Sequence, residues 1–284
     1  MIRLCAFADE ADSAVDGQID ALIRNDIRLI EVRGLDGVGV ANVTKKQAEI
    51  YAEKFRDHGI QVWSIGSPLG KTDLSESEAE FEAQCRHVFE IANIFGAKNV
   101  RVFSFFHADG GEDEVVRRLQ NAVRWAKEYG LTLCHENEKK IYGDTLRKVQ
   151  RLLDAVEGLQ SVYDPANYLE VGEDALAALY ALAPRTAYFH VKDYVTATGE
   201  LVPAGQGDGN IPALIELAAK RQDAVLTIEP HLAVFQGYAE IDGSEMKGRC
   251  VYPDNHAAFD AAVTALKGEL QKAGLRPVDG GYQK

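Results

Sequence analysis

The chain has 284 residues, a formal net charge of −13 and 46% hydrophobic residues, enough to bury a large core without a disulfide or metal staple. That charge repels phosphate backbones and the basic residues are dispersed, which excludes a nucleic-acid partner as an expectation; no run of about 18 apolar residues exists, so no membrane segment is expected either. Cys5, Cys85, Cys134 and Cys250 lie far apart with no CxxC spacing, which suits a reducing, cytoplasmic location.

Short β-type runs recur in chain order: "IRLCAF" from Ile2, "IRLIEVR" from Ile27, "IQVWSIG" from Ile60 and "NVRVFSFF" from Asn99. Four more follow, "LTLCHE" from Leu131, "LQSVYD" from Leu159, "AYFHVKD" from Ala187 and "AVLTIE" from Ala224. Between them the period becomes helical. Thr44 with Gln47 forms a capping box ahead of Ala48, Tyr51, Ala52 and Phe55 at helical spacing, and Gly59 ends that helix. "FEAQCRHVFEIANIFG" and "EVVRRLQNAVRWAKEYG" end in the same way at Gly96 and Gly130. Strands alternating with helices imply βαβ units and a parallel sheet. Eight units close into a single-domain (β/α)8 TIM barrel over residues 1–284; a doubly wound open sheet is the competing architecture. Residues 274–284 read as a loose C-terminal tail, and the long segment from His231 to Asn255, with Phe235 and Tyr238, reads as a lid or as an assembly surface for a homo-oligomer.

In a parallel barrel, function gathers at the C-terminal ends of the strands. Strand five ends at Glu136, strand six at Asp164, strand seven carries His190 and strand eight ends at Glu229. Any one acid after a strand is usually a helix cap or a solvated loop residue. Three carboxylates sharing one pocket repel one another unless a cation balances them, and with an imidazole they suit one divalent metal ion: Mn, Mg, Co or Zn. Lys192 shares the inward face of His190 and is a candidate for holding a substrate oxygen, with a rim salt bridge as the plainer role. Glu31 and Arg33 end strand two with the same alternation and either contact the far end of the substrate or pair within the barrel, and His107 and His231 stand in rim loops, as substrate contacts or as plainly solvated residues. His135 faces away from Glu136 and reads as a core histidine. "GQGDG" at 205–209 lacks the full phosphate-loop spacing and reads as a flexible βα loop near the pocket.

"CHENEKKIYGDT", "YDPANY", "FHVKDY", "PAGQGDGN" and "TIEPH", in this order and spacing, resemble the xylose-isomerase-like TIM-barrel superfamily of sugar and sugar-phosphate isomerases and epimerases. The resemblance covers nearly the whole chain. It implies that Glu136, Asp164, His190 and Glu229 ligate one divalent metal and that Glu136 and Glu229 are the proton-transfer pair. Two positions depart from the pattern. Asn167 stands where many epimerases have a histidine, which keeps it as a substrate-binding candidate, and Thr196 lies where an arginine often follows the metal histidine. The expected activity is therefore a metal-dependent isomerase or epimerase acting through an enediolate on a small-molecule sugar, a ketose, sugar phosphate or related polyol. The alternatives are a metal-dependent dehydratase of a keto-inositol or related polyol, and a non-catalytic sugar-binding barrel.

Overall fold

A computed structural model describes residues 1–232, 247–248 and 252–284. Eight strands form the barrel: β1 (Ile2–Ala6), β2 (Leu29–Val32), β3 (Gln61–Ile65), β4 (Asn99–Val102), β5 (Thr132–Glu136), β6 (Gln160–Tyr163), β7 (Thr186–Val191) and β8 (Ala224–Ile228). Each pairs in parallel with the next. β8 closes on β1 through five residue pairs from Ile2 with Ala224 to Ala6 with Ile228, so the sheet is a closed barrel and not an open one. Helices return the chain between strands: α1 (Val15–Arg24), α2 (Lys45–Asp57), α3 (Glu78–Phe95), α4 (Glu112–Glu128), α5 (Leu146–Ala155), α6 (Pro165–Glu170), α7 (Ala175–Leu182), α8 (Ile211–Ala219) and α9 (Asn255–Lys272).

Local sequence accounts for the helix ends. The Thr44–Gln47 capping box is present, a second one pairs Ser77 with Glu80 at the start of α3, and Gly96 ends α3 in the left-handed conformation that a Cβ would strain. The main core lies between strands and helices. A smaller cluster of Cys5, Leu29, Cys134, Val162, Tyr188 and Val225 packs inside the barrel, one layer below the mouth.

The C-terminus departs from expectation. Residues 276–283 are not a loose tail but an antiparallel hairpin, Arg276–Val278 with Gly281–Gln283, docked on β1 through Ile2 and Tyr282. Tyr282 is only 7% exposed, and burial of that ring holds the hairpin, although the segment is short and glycine-rich in sequence. Phe235 and Tyr238 lie outside the described residues. Among the described residues, no helix is long and apolar enough to cross a membrane.

Candidate functional site

Glu136 ends β5, Asp164 and Glu229 directly follow β6 and β8, and His190 sits near the end of β7. One potential ligand atom from each lies within 4.8 Å of the others, and all four residues are buried. His190 Nδ1 is 2.8 Å from Glu229 Oε2 and 3.1 Å from Glu136 Oε1. Asp164 serves in two ways. Its Oδ1 accepts the Asn167 backbone N–H at the start of α6, the ordinary cap role, while Oδ2 is turned to Lys192 Nζ at 2.9 Å.

The cations around the acids were not all expected. Arg101, on β4, places Nη1 3.1 Å from Glu136 Oε2 and 4.0 Å from Glu229 Oε1, and its Nη2 donates to the Gly66 carbonyl. Phe7 and Phe103 lie 5.2 and 4.8 Å from its guanidinium. A charged residue inside the apolar run "NVRVFSFF" was the available signal for it. Asp9 and Glu10, after β1, were also missed. They hold Arg33, which bridges Asp9 at 2.9 Å, Glu229 at 3.1 Å and Glu10 at 3.4 Å.

The remaining candidates separate clearly. Lys192 is buried and reaches both Asp164 and Asn167 Oδ1, the latter at 2.7 Å. Asn167 Nδ2 donates to Glu136 Oε1 at 3.2 Å and to the Asn137 carbonyl at 2.8 Å. His231 lies 3.2 Å from Glu229 and 3.4 Å from Glu10, its backbone in the left-handed region at φ +48° and held by its N–H to Glu10 Oε2. Arg33, Lys192, Asn167 and His231 line a cavity of about 170 Å³ together with Arg101 and Glu136. Glu31 does not line it. It sits below the mouth beside His190 Nε2, because Arg33, two residues on along the same face, is the residue of this strand that reaches the cavity. His107 is not in the site either; its side chain is 82% exposed and pairs with Asp73, where the loop after β4 turns outward.

The glycine-rich loop is neither a phosphate cradle nor a free flap. The backbone N–H groups of Gly205, Gly207 and Gly209 converge on the Asp193 carboxylate at 2.8, 3.0 and 2.9 Å. An anion hole built from backbone amides is thus filled by an acid of the same chain, beside Lys192.

Electrostatics follow from burial and neighbours. Burial disfavours the imidazolium of His190, but Glu136, Glu229 and Glu31 outweigh it and hold its pKa well above the ordinary histidine range. Burial likewise opposes the charge of Lys192, yet Asp164, Glu229, Glu138 and Glu136 keep it protonated. Burial raises Glu229, and His190 with Lys192 more than reverse this, so that it is ionised well below the usual carboxylate range. His231 is pushed down to about 3 by burial and is neutral.

A divalent ion fits these residues. Glu136 Oε2, Asp164 Oδ2 and Glu229 Oε2 are each buried and accept no hydrogen bond among the described residues, although each has a cation at ion-pair distance. Buried carboxylate oxygens are normally hydrogen-bonded, and three that are not, meeting beside an imidazole, form a hard, mixed donor set.

Comparison with known proteins identifies the family and the fold. The family model described as "Xylose isomerase-like TIM barrel" matches residues 24–276. An uncharacterized Escherichia coli protein, YihM, is 24% identical over 69% of this chain, and the match spans 60% of that relative's length. Three solved structures share the fold. An L-ribulose 3-epimerase has a TM-score of 0.73 at 19% identity, with 96% of each chain covered. The probable 3-DHS dehydratase AsbF of Bacillus anthracis has 0.70 at 18%, covering 94% of this chain and 99% of that one. The IolI protein, solved with a binding zinc atom, has 0.72 at 14%, covering 95% and 99%. With a closed eight-stranded barrel and a family match over most of its length, the chain belongs to the xylose isomerase-like TIM-barrel family.

Proposed function

We propose that this chain is a divalent-metal-dependent isomerase or epimerase of a ketose, sugar phosphate or related polyol, with Glu136 and Glu229 as its proton-transfer pair. The observation that carries this reading is the trio of buried carboxylate oxygens without hydrogen bonds, gathered around His190 at the barrel mouth. A divalent ion held by Glu136, Asp164, His190 and Glu229 supplies Lewis acidity that lowers the cost of removing a proton beside a carbonyl.

The chain's own residues do the rest. Each glutamate has two oxygens, so one can hold the ion while the other faces a substrate C–H. Glu229 serves as the base: Lys192 favours its ionised form, and that charge remains when His190 gives Nδ1 to the ion. Arg101 and Lys192 supply fixed positive charge for the enediolate that forms when the proton leaves, and the arginine cannot lose its charge. Return of the proton to the neighbouring carbon gives an isomer; return to the other face of the same carbon gives an epimer.

Dehydration of a keto-polyol is the second reading, and one contact favours it. His231 stands between Glu10 and Glu229 at the cavity wall; burial raises Glu10 to about 8, so the proton it holds can pass through the neutral imidazole to a departing hydroxyl.

The test is turnover in D2O with Mn2+ and a panel of ketoses, ketose phosphates and keto-inositols, followed by NMR. Solvent deuterium entering a carbon beside the carbonyl is expected, and either Glu136→Gln or Glu229→Gln abolishes it while leaving the circular dichroism spectrum intact. Undiminished exchange in both variants overturns the proposal. Loss of water without isomer formation selects the dehydratase.

A further inference from the structure

Glu31 is a buried acid with an unusual setting. Its side chain is fully buried, and the only basic side chain within ion-pair distance among the described residues is that of His190. An interior carboxylate with no arginine or lysine against it costs several kcal/mol, where a leucine or methionine would simply pack. Both of its oxygens are engaged. Tyr188 donates its hydroxyl to Oε1 at 2.7 Å, and His190 Nε2 lies 3.2 Å from Oε2. The Tyr188 hydroxyl is also 3.0 Å from Ser64 Oγ. A register shift between β2 and β3 leaves Trp63 without a partner and sets Ser64 opposite Glu31, as a bulge does when it re-aims a side chain. Three strands therefore meet in one buried polar chain: β3 gives Ser64, β7 gives Tyr188 and His190, and β2 gives Glu31.

We infer that Glu31, held by Tyr188 and Ser64, is the positioning residue of the metal centre, taking the Nε2–H of His190 and so keeping Nδ1 turned toward the acids. This rests on the reading of Glu136, Asp164, His190 and Glu229 as ligands, and extends it to residues that do not touch the ion. An imidazole binds a metal through one nitrogen while the other carries the proton, and an acceptor at that second nitrogen fixes tautomer and ring angle and makes the ligand more basic. The geometry matches that division. Nδ1 faces Glu136 and Glu229, Nε2 faces Glu31, and Phe7 packs edge-on against the ring at 5.2 Å between centroids. Tyr188 lies two residues before His190 on the same strand face, so its hydroxyl arrives one layer below the imidazole to hold the carboxylate that holds the ring.

The experiment is Mn2+ titration calorimetry on metal-free wild type, Glu31→Gln and Tyr188→Phe, with the visible spectrum of each Co2+-loaded protein. Glu31→Gln is expected to weaken Mn2+ about 10- to 100-fold and to shift the Co2+ ligand-field bands, and Tyr188→Phe to move both in the same direction by less. Weaker binding with a wild-type Co2+ spectrum marks a merely structural role and overturns the inference, as does unchanged affinity in Glu31→Gln. Should Glu31→Gln fail to fold, Tyr188→Phe carries the test, and unchanged affinity with an unchanged spectrum there overturns it. A wild-type protein that binds neither Mn2+ nor Co2+ overturns the ligand assignment itself, a result separate from equal binding by wild type and variant.

Discussion

His135 and Glu136 are consecutive, both buried, and opposite in use, because side chains alternate along β5. Glu136 enters the mouth, whereas His135 points between the barrel and its outer layer, with Nε2 3.0 Å from Ser104 Oγ. Burial pushes His135 down to about 3 from an ordinary value of 6.5, so between those pH values the unfolded chain binds a proton that the folded chain refuses. Its contribution to stability is complete above about pH 6.5 and is lost as pH falls toward 3. We expect wild type to lose about 3 kcal/mol from this group between pH 7 and pH 4, and His135→Gln to lack that component. Urea denaturation across the range measures it; parallel pH profiles for the two proteins would sink the assignment. The different fates of these neighbours were legible in the sequence, since period-two alternation is local. The role of Glu31 was not, because nothing near it in sequence reveals that His190 lies above it.

At the scale of elements, the loop 203–210 was legible as a βα loop, but its content was not. Its three amides bind Asp193, a partner two residues past the end of β7. A Cβ on Gly207 would come within 2.4 Å of Asp193 Oδ1 and 2.6 Å of the Tyr194 carbonyl oxygen, so this glycine is required by close approach rather than by turn geometry. Gly207→Ala is expected to cost about 1–3 kcal/mol, the usual penalty of overpacking, and to loosen the neighbouring Lys192. Thermal unfolding of the variant gives the first quantity; a melting temperature equal to wild type would mean that the loop yields freely. Capping boxes and glycine stops were readable in the same sequence because they act across three or four residues. The C-terminal hairpin was not, since its register depends on Ile2 and Tyr282, at opposite ends of the chain.

For the whole molecule, the barrel gathers acids at one end and encloses them with Arg33, Arg101 and Lys192. Those cations offset part of the acids' mutual repulsion, while three of the carboxylate oxygens still lack hydrogen bonds. An ion that binds only the folded state adds about 2.7 kcal/mol at one hundred times its dissociation constant, which for a chain of this size raises Tm by about 4 °C. Scanning calorimetry in chelator and then in Mn2+ should show that shift in wild type and its loss in Asp164→Asn. Identical melting in chelator and Mn2+ would count against a metal at this position.

The sequence by itself determined the alternation of strand and helix, the parallel βαβ class and the strand ends at which Glu136, Asp164, His190 and Glu229 stand, because periodicity, capping and strand length are short-range properties, whereas closure rests on the pairing of β8 with β1. Only the tertiary structure decided which charges answer them. Arg33 reaches Glu229 across 196 positions and Glu31 reaches His190 across 159, and such pairs are set by where a closed barrel brings its second and fourth strands against its seventh and eighth. Side chains that meet only through barrel closure leave no trace in local pattern, so Lys192 and Arg33 could be singled out in the sequence without the acids they bind being readable, and Arg101 showed only as a charge inside an apolar run.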